Sequence, residues 1–144
     1  MKDNELIEFF SEDVEFEPEH GEELKLWLET LISSHNYKLK NLTYIFCSDE
    51  YLHQMNLDYL QHDTYTDIIT FDNSDEEGIL EGDIFISIDR VRENAATLQI
   101  PFLDELHRVM AHGALHLLGF DDKSPELKAE MTKAENDVLN KRKF

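Results

Sequence analysis

Apolar residues recur at helical spacing in the first third of the chain. Successive apolar residues are alternately three positions and one position apart, so they fall on one side of a helix. This pattern predicts an amphipathic helix over about residues 19–35. Its apolar face consists of Leu24, Trp27, Leu28, Leu31 and Ile32.

Shorter apolar runs bounded by turn-forming residues indicate β-strands. Residues 42–48, 67–72 and 83–88 are rich in β-branched and aromatic side chains, which suit a pleated sheet. The acidic, turn-rich segment 73–82 joins the last two runs and predicts a hairpin. A weak N-terminal strand over residues 14–16 would complete a small sheet.

Capping residues mark where further helices begin. A serine or aspartate side chain can cap the first turn, and proline suits the first helical position because it has no N–H to satisfy. The second of these helices is predicted to end at Leu98 and the last at about residue 140. The predicted starting residues are Ser48, Asp89, Pro101 and Ser124.

The order of these elements predicts an α+β or α/β fold in which a small mixed β-sheet is packed by helices. The sequence contains no internal repeat, low-complexity tract or linker rich in proline and glycine. A chain of 144 residues can bury one sizeable core. Residues 1–144 are therefore predicted to form a single domain.

The composition favours a cytoplasmic protein. The N-terminal residues lack the basic and apolar regions of a signal peptide, and no apolar run approaches the roughly 20 residues that cross a bilayer. The single cysteine, Cys47, has no partner for an internal disulfide and lies in an apolar stretch. We therefore expect Cys47 to be a buried, inert thiol in a reducing compartment.

Charge is distributed unevenly along the chain. The formal net charge of −19 would normally argue against a nucleic-acid partner, because phosphate affinity comes from Lys and Arg. From Asn41 to Asp89 there are twelve acidic residues and no Lys or Arg, whereas residues 123–144 contain six basic and four acidic residues. Because screening makes the local balance more important than the total, the basic C-terminal segment keeps an RNA partner open.

The segment 111–123, AHGALHLLGFDDK, carries the most specific chemistry. His112 and His116 are four apart in a predicted helix, so both imidazoles project from one face, beside the apolar stripe. Gly119 can end this helix in a left-handed conformation and turn the chain so that Asp122 approaches the rings. Two imidazoles and one carboxylate are a typical set of three protein ligands for a catalytic zinc ion.

Other interpretations of these residues stay open on the sequence alone. Two histidines at this spacing also occur by chance in helices, as ordinary partly buried residues. Asp121 is a rival third ligand; alternatively it is a turn residue or accepts a hydrogen bond from a ligand imidazole. His107 lies about 140° around the helix from His112 and so is excluded from the site. The remaining histidines are isolated and are interpreted as surface or hydrogen-bonding residues: His20, His35, His53 and His62.

Several motifs resemble the YbeY family of bacterial endoribonucleases. Residues 112–122 are similar to the family's H-G-x-L-H-L-x-G-[FY]-D-H, residues 66–71 to its T-D-V-L-S-F and residues 82–87 to its G-D-I-x-I-S. Met131 and Glu135 are similar to its M-x-x-x-E, although alone they would be interpreted as a core methionine and a surface acid. The resemblance extends from about residue 55 to the C-terminus.

This resemblance implies a specific function and set of partners. It implies one Zn²⁺ per chain on a metzincin-like zinc helix, with His112, His116 and Asp122 as ligands. The implied activity is cleavage of single-stranded regions of ribosomal RNA, in rRNA maturation and ribosome quality control. The ribosome and its assembly factors are implied as further partners, and a membrane is not.

The sequence departs from the family pattern at two positions. The family's third ligand is a histidine, whereas Asp122 stands here; aspartate also binds zinc, but it lowers the net positive charge at the metal and leaves bound water less acidic. Leu60 stands where the family usually has an arginine. Lys123, next to Asp122, is hypothesised to replace that positive charge.

Two alternative functions compete with a zinc-dependent endoribonuclease. A zinc metallopeptidase would share the His-x₃-His-x₅-Asp ligand spacing, but such enzymes place a glutamate directly after the first histidine as general base, where this chain has Gly113. A non-catalytic ribosome-assembly factor stabilised by its metal would suit the acidic surface and the missing arginine. The sequence does not identify a general base.

Overall fold

The computed structural model describes residues 6–60, without the side chain of Leu60, and residues 66–144. In these ranges the chain forms four strands and five helices. In chain order they are β1 Ile7–Ser11, α1 Gly21–Ser34, β2 Lys38–Cys47, α2 Asp49–Leu60, β3 Ile68–Asp72, β4 Ile79–Ser87, α3 Ile88–Leu98, α4 Phe102–Leu117 and α5 Pro125–Leu139.

The strands form one mixed sheet in the order β1-β2-β4-β3. β1, β2 and β4 run parallel, with Ile7 opposite Leu42 and Ile45 opposite Phe85. β3 pairs antiparallel with β4, as the predicted hairpin requires. The predicted α+β architecture with a small mixed sheet packed by helices is confirmed.

Side-chain alternation along the strands divides the core between the two faces of the sheet. On one face, β-strand residues such as Tyr44 and Ile84 pack with α1, α4 and α5 in the larger cluster. On the other face, Cys47 and Ile69 pack with Leu52 of α2. All five residues of the predicted apolar face of α1 are buried, which confirms that helix.

The N-terminal strand lies earlier than predicted. β1 occupies residues 7–11 rather than 14–16, because Ile7 is buried and Phe9 is packed against the core while Glu8 between them alternates away. Phe16, in the segment predicted as a strand, instead packs its ring against Phe46 at a centroid distance of 5.1 Å.

Two predicted helix starts are also corrected. The N-cap of α3 is Ser87, whose hydroxyl accepts a hydrogen bond from the N–H of Arg90, rather than Asp89. Asp89 lies inside α3 and accepts from the N–H of Asp49 at 2.9 Å, so it stabilises the first turn of α2 instead. Pro101 is the N-cap of α4 and not its first helical residue.

Within the residues that the structure describes, no helix is long and apolar enough to cross a bilayer.

Candidate metal centre

Two glycines allow α4 to pack closely against the sheet. A Cβ on Gly113 would lie 2.9 Å from the Cδ1 atoms of Ile68 and Ile84. A Cβ on Gly82 would lie 2.5 Å from the carbonyl oxygen of Phe71 and 3.0 Å from a methyl of Leu117. The glycine that follows His112 in the motif therefore serves helix–sheet packing.

The two predicted ligand histidines lie at the border between core and solvent. His112 is partly buried, with 24% of its side chain exposed, and His116 is exposed. Their neighbours on the apolar side of α4 are all buried. The position of both rings beside a buried stripe is confirmed; that stripe consists of Leu106, Met110, Gly113 and Leu117.

The chain turns immediately after α4, as the glycine predicted. Gly119 adopts a φ of 103°, and the N–H of Phe120 donates to the carbonyl of Leu115 at 3.0 Å. Asp121 accepts from the N–H of Lys123 at 2.8 Å, which is the turn role considered for it. Asp122 is exposed at the end of this turn.

His112 has a buried carboxylate partner that the sequence did not identify. Its Nδ1 lies 2.6 Å from Oε2 of Glu135 on α5. Glu135 is only 4% exposed, so its interpretation as a surface acid is wrong, whereas Met131 is a core methionine as expected. The available signal was their spacing: Met131, Glu135 and Val138 repeat at i, i+4 and i+7, which places the acid on the buried stripe of α5.

The charges around His112 favour its protonated form. The hydrogen bond to Glu135 is the main reason that the pKa of His112 is raised, and partial burial opposes it. The carboxylates of Asp67 and Asp122 raise the pKa further through their charge. Asp67, directly before β3, is therefore an additional acid near this imidazole, and the sequence had placed it only in a strand motif.

The nitrogen and oxygen donors of His112, His116 and Asp122 are of the kinds that bind zinc. These side chains do not form a complete coordination shell in the described part of the chain. In residues 6–60 and 66–144, no three His, Cys, Asp or Glu side chains converge as a ligand group, so the site stays a prediction. The fit rests on His112: a carboxylate on Nδ1 leaves Nε2 free, which is the usual arrangement of zinc-binding histidines. His116 and Asp122 add nitrogen and oxygen donors of the kinds that zinc accepts.

The other predicted residues lie apart from this centre or outside the described part. His107 is buried, with its ring 6.0 Å from that of Trp27, which is consistent with its exclusion. Cys47 is buried, and burial raises the pKa of its thiol to about 12, as expected for an inert cysteine. His62 and the side chain of Leu60 lie outside the described residues.

Comparisons with known proteins identify relatives over almost the whole length. The family described as Endoribonuclease YbeY matches residues 6–143. The Endoribonuclease YbeY of Cytophaga hutchinsonii is 53% identical over 140 residues, covering 97% of this chain and 98% of that protein. That of Amoebophilus asiaticus is 47% identical over 130 residues, covering 90% and 88%.

A solved structure has the same fold. The solution structure of a Thermotoga maritima protein superimposes with a TM-score of 0.62 at 26% sequence identity. The match covers 93% of this chain and 89% of that one.

Proposed function

Because the chain belongs to the endoribonuclease YbeY family, and so is a hydrolase that cleaves RNA, we propose that its activity depends on zinc. We further propose that it acts in the cytoplasm on single-stranded regions of ribosomal RNA, in rRNA maturation and ribosome quality control. The observation that carries the zinc proposal is the 2.6 Å contact between His112 Nδ1 and the buried Glu135, because it leaves Nε2 as the free ligand atom.

Three residues would hold the ion. His112 would bind through Nε2, and His116 and Asp122 would supply the other two protein donors. Both of the latter side chains are exposed. When bound, zinc supplies Lewis-acid stabilisation of the charge that develops at a phosphodiester.

The protein's own residues prepare this site. Glu135 holds the proton of neutral His112 on Nδ1, which fixes the tautomer that can bind a metal. Asp122 follows the turn at Gly119 in the chain. The position after the first histidine lacks the glutamate that metzincin peptidases use as general base. Gly113 occupies that position, close against Ile68 and Ile84, so the peptidase alternative has no base there. The 2′-hydroxyl of RNA is itself a suitable nucleophile.

Lys123 is proposed to bind substrate phosphate in place of the family's arginine. It is exposed and directly follows Asp122. Replacing it with alanine removes one phosphate contact, so Lys123→Ala should weaken RNA binding and make it less dependent on salt. Lys128→Ala, an exposed lysine on α5, is the matched control. Unchanged RNA binding and cleavage in Lys123→Ala would contradict this role.

The zinc site is tested by metal analysis together with an RNA cleavage assay on purified protein. We expect one zinc ion per chain, and cleavage of single-stranded rRNA fragments that is lost on chelation. His116→Ala should lose zinc affinity by more than about 100-fold, since removing a ligand costs more than removing its hydrogen-bond partner. His20→Asn, which removes an exposed histidine but tolerates the left-handed backbone at φ 61°, should behave as the wild type.

Two other results of the cleavage assay and metal analysis would lead to different conclusions. Equal cleavage by wild type, His116→Ala and chelated protein would indicate a contaminating nuclease and contradict the proposal. Zinc and RNA binding without cleavage would favour the assembly-factor alternative, which the net charge of −19 also favours.

A further inference from the structure

Two buried carboxylates and the partly exposed Arg108 form an ion network between α4 and α5, on the Nδ1 side of His112. Glu105 is fully buried and pairs with Arg108, whose Nε donates to Oε1 of Glu105 at 2.9 Å and whose Nη2 donates to Oε2. The remaining nitrogen, Nη1, donates to Oε1 of Glu135 at 3.3 Å. One guanidinium therefore holds two buried carboxylates.

The two oxygens of Glu135 have different partners. Oε1 accepts from Arg108, and Oε2 contacts Nδ1 of His112. Because both oxygens belong to one planar carboxylate, the hydrogen bond to Oε1 restricts the orientations in which Oε2 can face the histidine. Arg108 therefore leaves Oε2 as the oxygen of Glu135 that faces the histidine.

The sequence arranges these groups on one stripe of α4. Glu105, Arg108, His112 and His116 follow one another at intervals of three and four residues, so the proposed metal-binding face continues directly into the ion network. The planar fork of arginine suits this task, since it can pair with one carboxylate through two N–H groups and still donate a third to another acid.

Stabilisation of the fold does not by itself account for this ion network. Glu105 is fully buried and Arg108 keeps 33% of its side chain exposed. An ion pair removed from water is often no more stable than an apolar pair of similar size, because desolvating the charges costs about as much as their attraction returns. In the part of the chain that the structure describes, Arg108 is also the only Lys or Arg paired with Glu105 or Glu135. Through Glu135, Arg108 is connected to His112.

We propose that Arg108 and Glu105 are positioning residues for the zinc site: they hold Glu135 so that it fixes the Nδ1–H tautomer and ring orientation of His112. This inference rests on the proposed zinc dependence. A carboxylate behind a zinc-binding histidine is typically worth 10–100-fold in metal affinity, and Arg108 and Glu105 determine how that carboxylate is held.

Arg142 offers a matched control. It also bridges a carboxylate and a histidine of α4, with Nη1 lying 3.1 Å from Oδ1 of Asp104 and 2.8 Å from Nδ1 of His107. His107 lies away from the proposed metal face, so Arg142→Met removes a comparable contact without touching His112 or Glu135.

The test is the paired variant Glu105→Leu with Arg108→Met, which removes both charges together and leaves Glu135 in contact with His112 alone among these groups. Three quantities are measured beside the Arg142→Met control: the free energy of unfolding in urea, the zinc affinity by competition with a chelator, and the ring ¹⁵N resonances of His112 in metal-free protein at alkaline pH. If the paired variant does not fold, Arg108→Lys replaces it in the same measurements. Lysine keeps the positive charge but lacks the planar guanidinium that bonds both carboxylates.

We expect the paired variant to lose zinc affinity, by up to the roughly 10- to 100-fold that removal of the carboxylate itself typically costs. The two ring nitrogens of His112, distinct as an N–H and a bare nitrogen in the wild type, should shift towards each other as the tautomers mix. Arg142→Met should show neither change. A folded paired variant with wild-type zinc affinity, or with unchanged His112 nitrogen resonances, would overturn the positioning role.

The two proposals fail separately in this design. Absence of zinc binding by the wild type overturns the proposed zinc dependence, and with it the metal-binding purpose of the network. Wild-type zinc binding together with unchanged affinity in the paired variant overturns the positioning role alone.

Discussion

Two histidines five residues apart on α4 have opposite electrostatic environments. His112 contacts the carboxylate of Glu135, and this hydrogen bond raises its pKa. His107 is 2% exposed, and burial is the main reason that its pKa is lowered to about 4, with the charge of Arg142 lowering it further. Helix position alone does not set the charge of a histidine; its contacts on neighbouring elements do.

The buried His107 should make folding sensitive to acid. Its pKa in the folded protein is about 4, below the ordinary value of 6.5, so the unfolded chain binds more protons between these pH values. The contribution of His107 to the free energy of unfolding should therefore be fully present above pH 6.5 and be lost as the pH decreases towards 4. The contribution of this histidine is at most about 3 kcal/mol.

Urea unfolding at a series of pH values checks this, with His107→Phe as the comparison. Phenylalanine does not titrate and suits the aromatic surroundings formed by Trp27 and Phe144. The loss of stability between pH 6.5 and 4 should be smaller in this variant. An equally steep loss in both proteins would show that other groups are responsible.

At the scale of elements, the close approach of β4 to β3 and to α4 depends on Gly82. A Cβ at this position would lie 2.5 Å from the backbone oxygen of Phe71, an atom that can move only with β3. We expect Gly82→Ala to lower the free energy of unfolding by about 1–3 kcal/mol, the usual cost of overpacking. Urea unfolding measures it.

Gly21 provides the control for that substitution. A Cβ on Gly21, the first residue of α1, would meet no atom within 4 Å. Because alanine favours a helix over glycine, Gly21→Ala should be neutral or stabilising by up to about 1 kcal/mol. Equal effects of the two substitutions would contradict a specific steric role for Gly82.

Helix caps show how far element-level prediction extends. The hydroxyls of Ser48 and Ser124 accept from N–H groups three residues later, as the sequence predicted. For α3 the sequence predicts a cap at Asp89, whereas the structure has Ser87 as the cap. Either side chain suits a cap locally, and the choice depends on where β4 ends against its neighbouring strands.

For the whole molecule, the dominant electrostatic property is its excess of negative charge. The formal charge is −19 at pH 7, and self-repulsion of this kind destabilises a compact state. Added salt screens charges beyond about 8–10 Å and should therefore raise the midpoint of thermal unfolding by a few degrees at neutral pH.

Calorimetry in increasing sodium chloride measures this effect, and pH provides its control. Near pH 4.5, the sequence pI, the net charge approaches zero and the repulsion disappears. The stabilisation by salt should then be much smaller than at pH 7. The same increase at both pH values would point to a general effect of salt on solvation rather than to repulsion.

The sequence by itself determined the local features of this protein. Hydrophobic spacing identified α1 and the two histidines beside the buried stripe of α4, and the need for a left-handed residue identified the turn at Gly119. These features depend on residues within about two helical turns of one another, so backbone geometry and side-chain periodicity suffice to predict them.

Only the tertiary structure decided which distant residues meet. The pairing of Ile7 with Leu42, in place of a strand at residues 14–16, depends on the alignment of two whole elements. The contact between His112 and Glu135 joins residues 23 apart, and it exists because α5 packs against α4. A spacing rule along one helix cannot specify which side chain a second helix brings to it, because that depends on how the two helices pack.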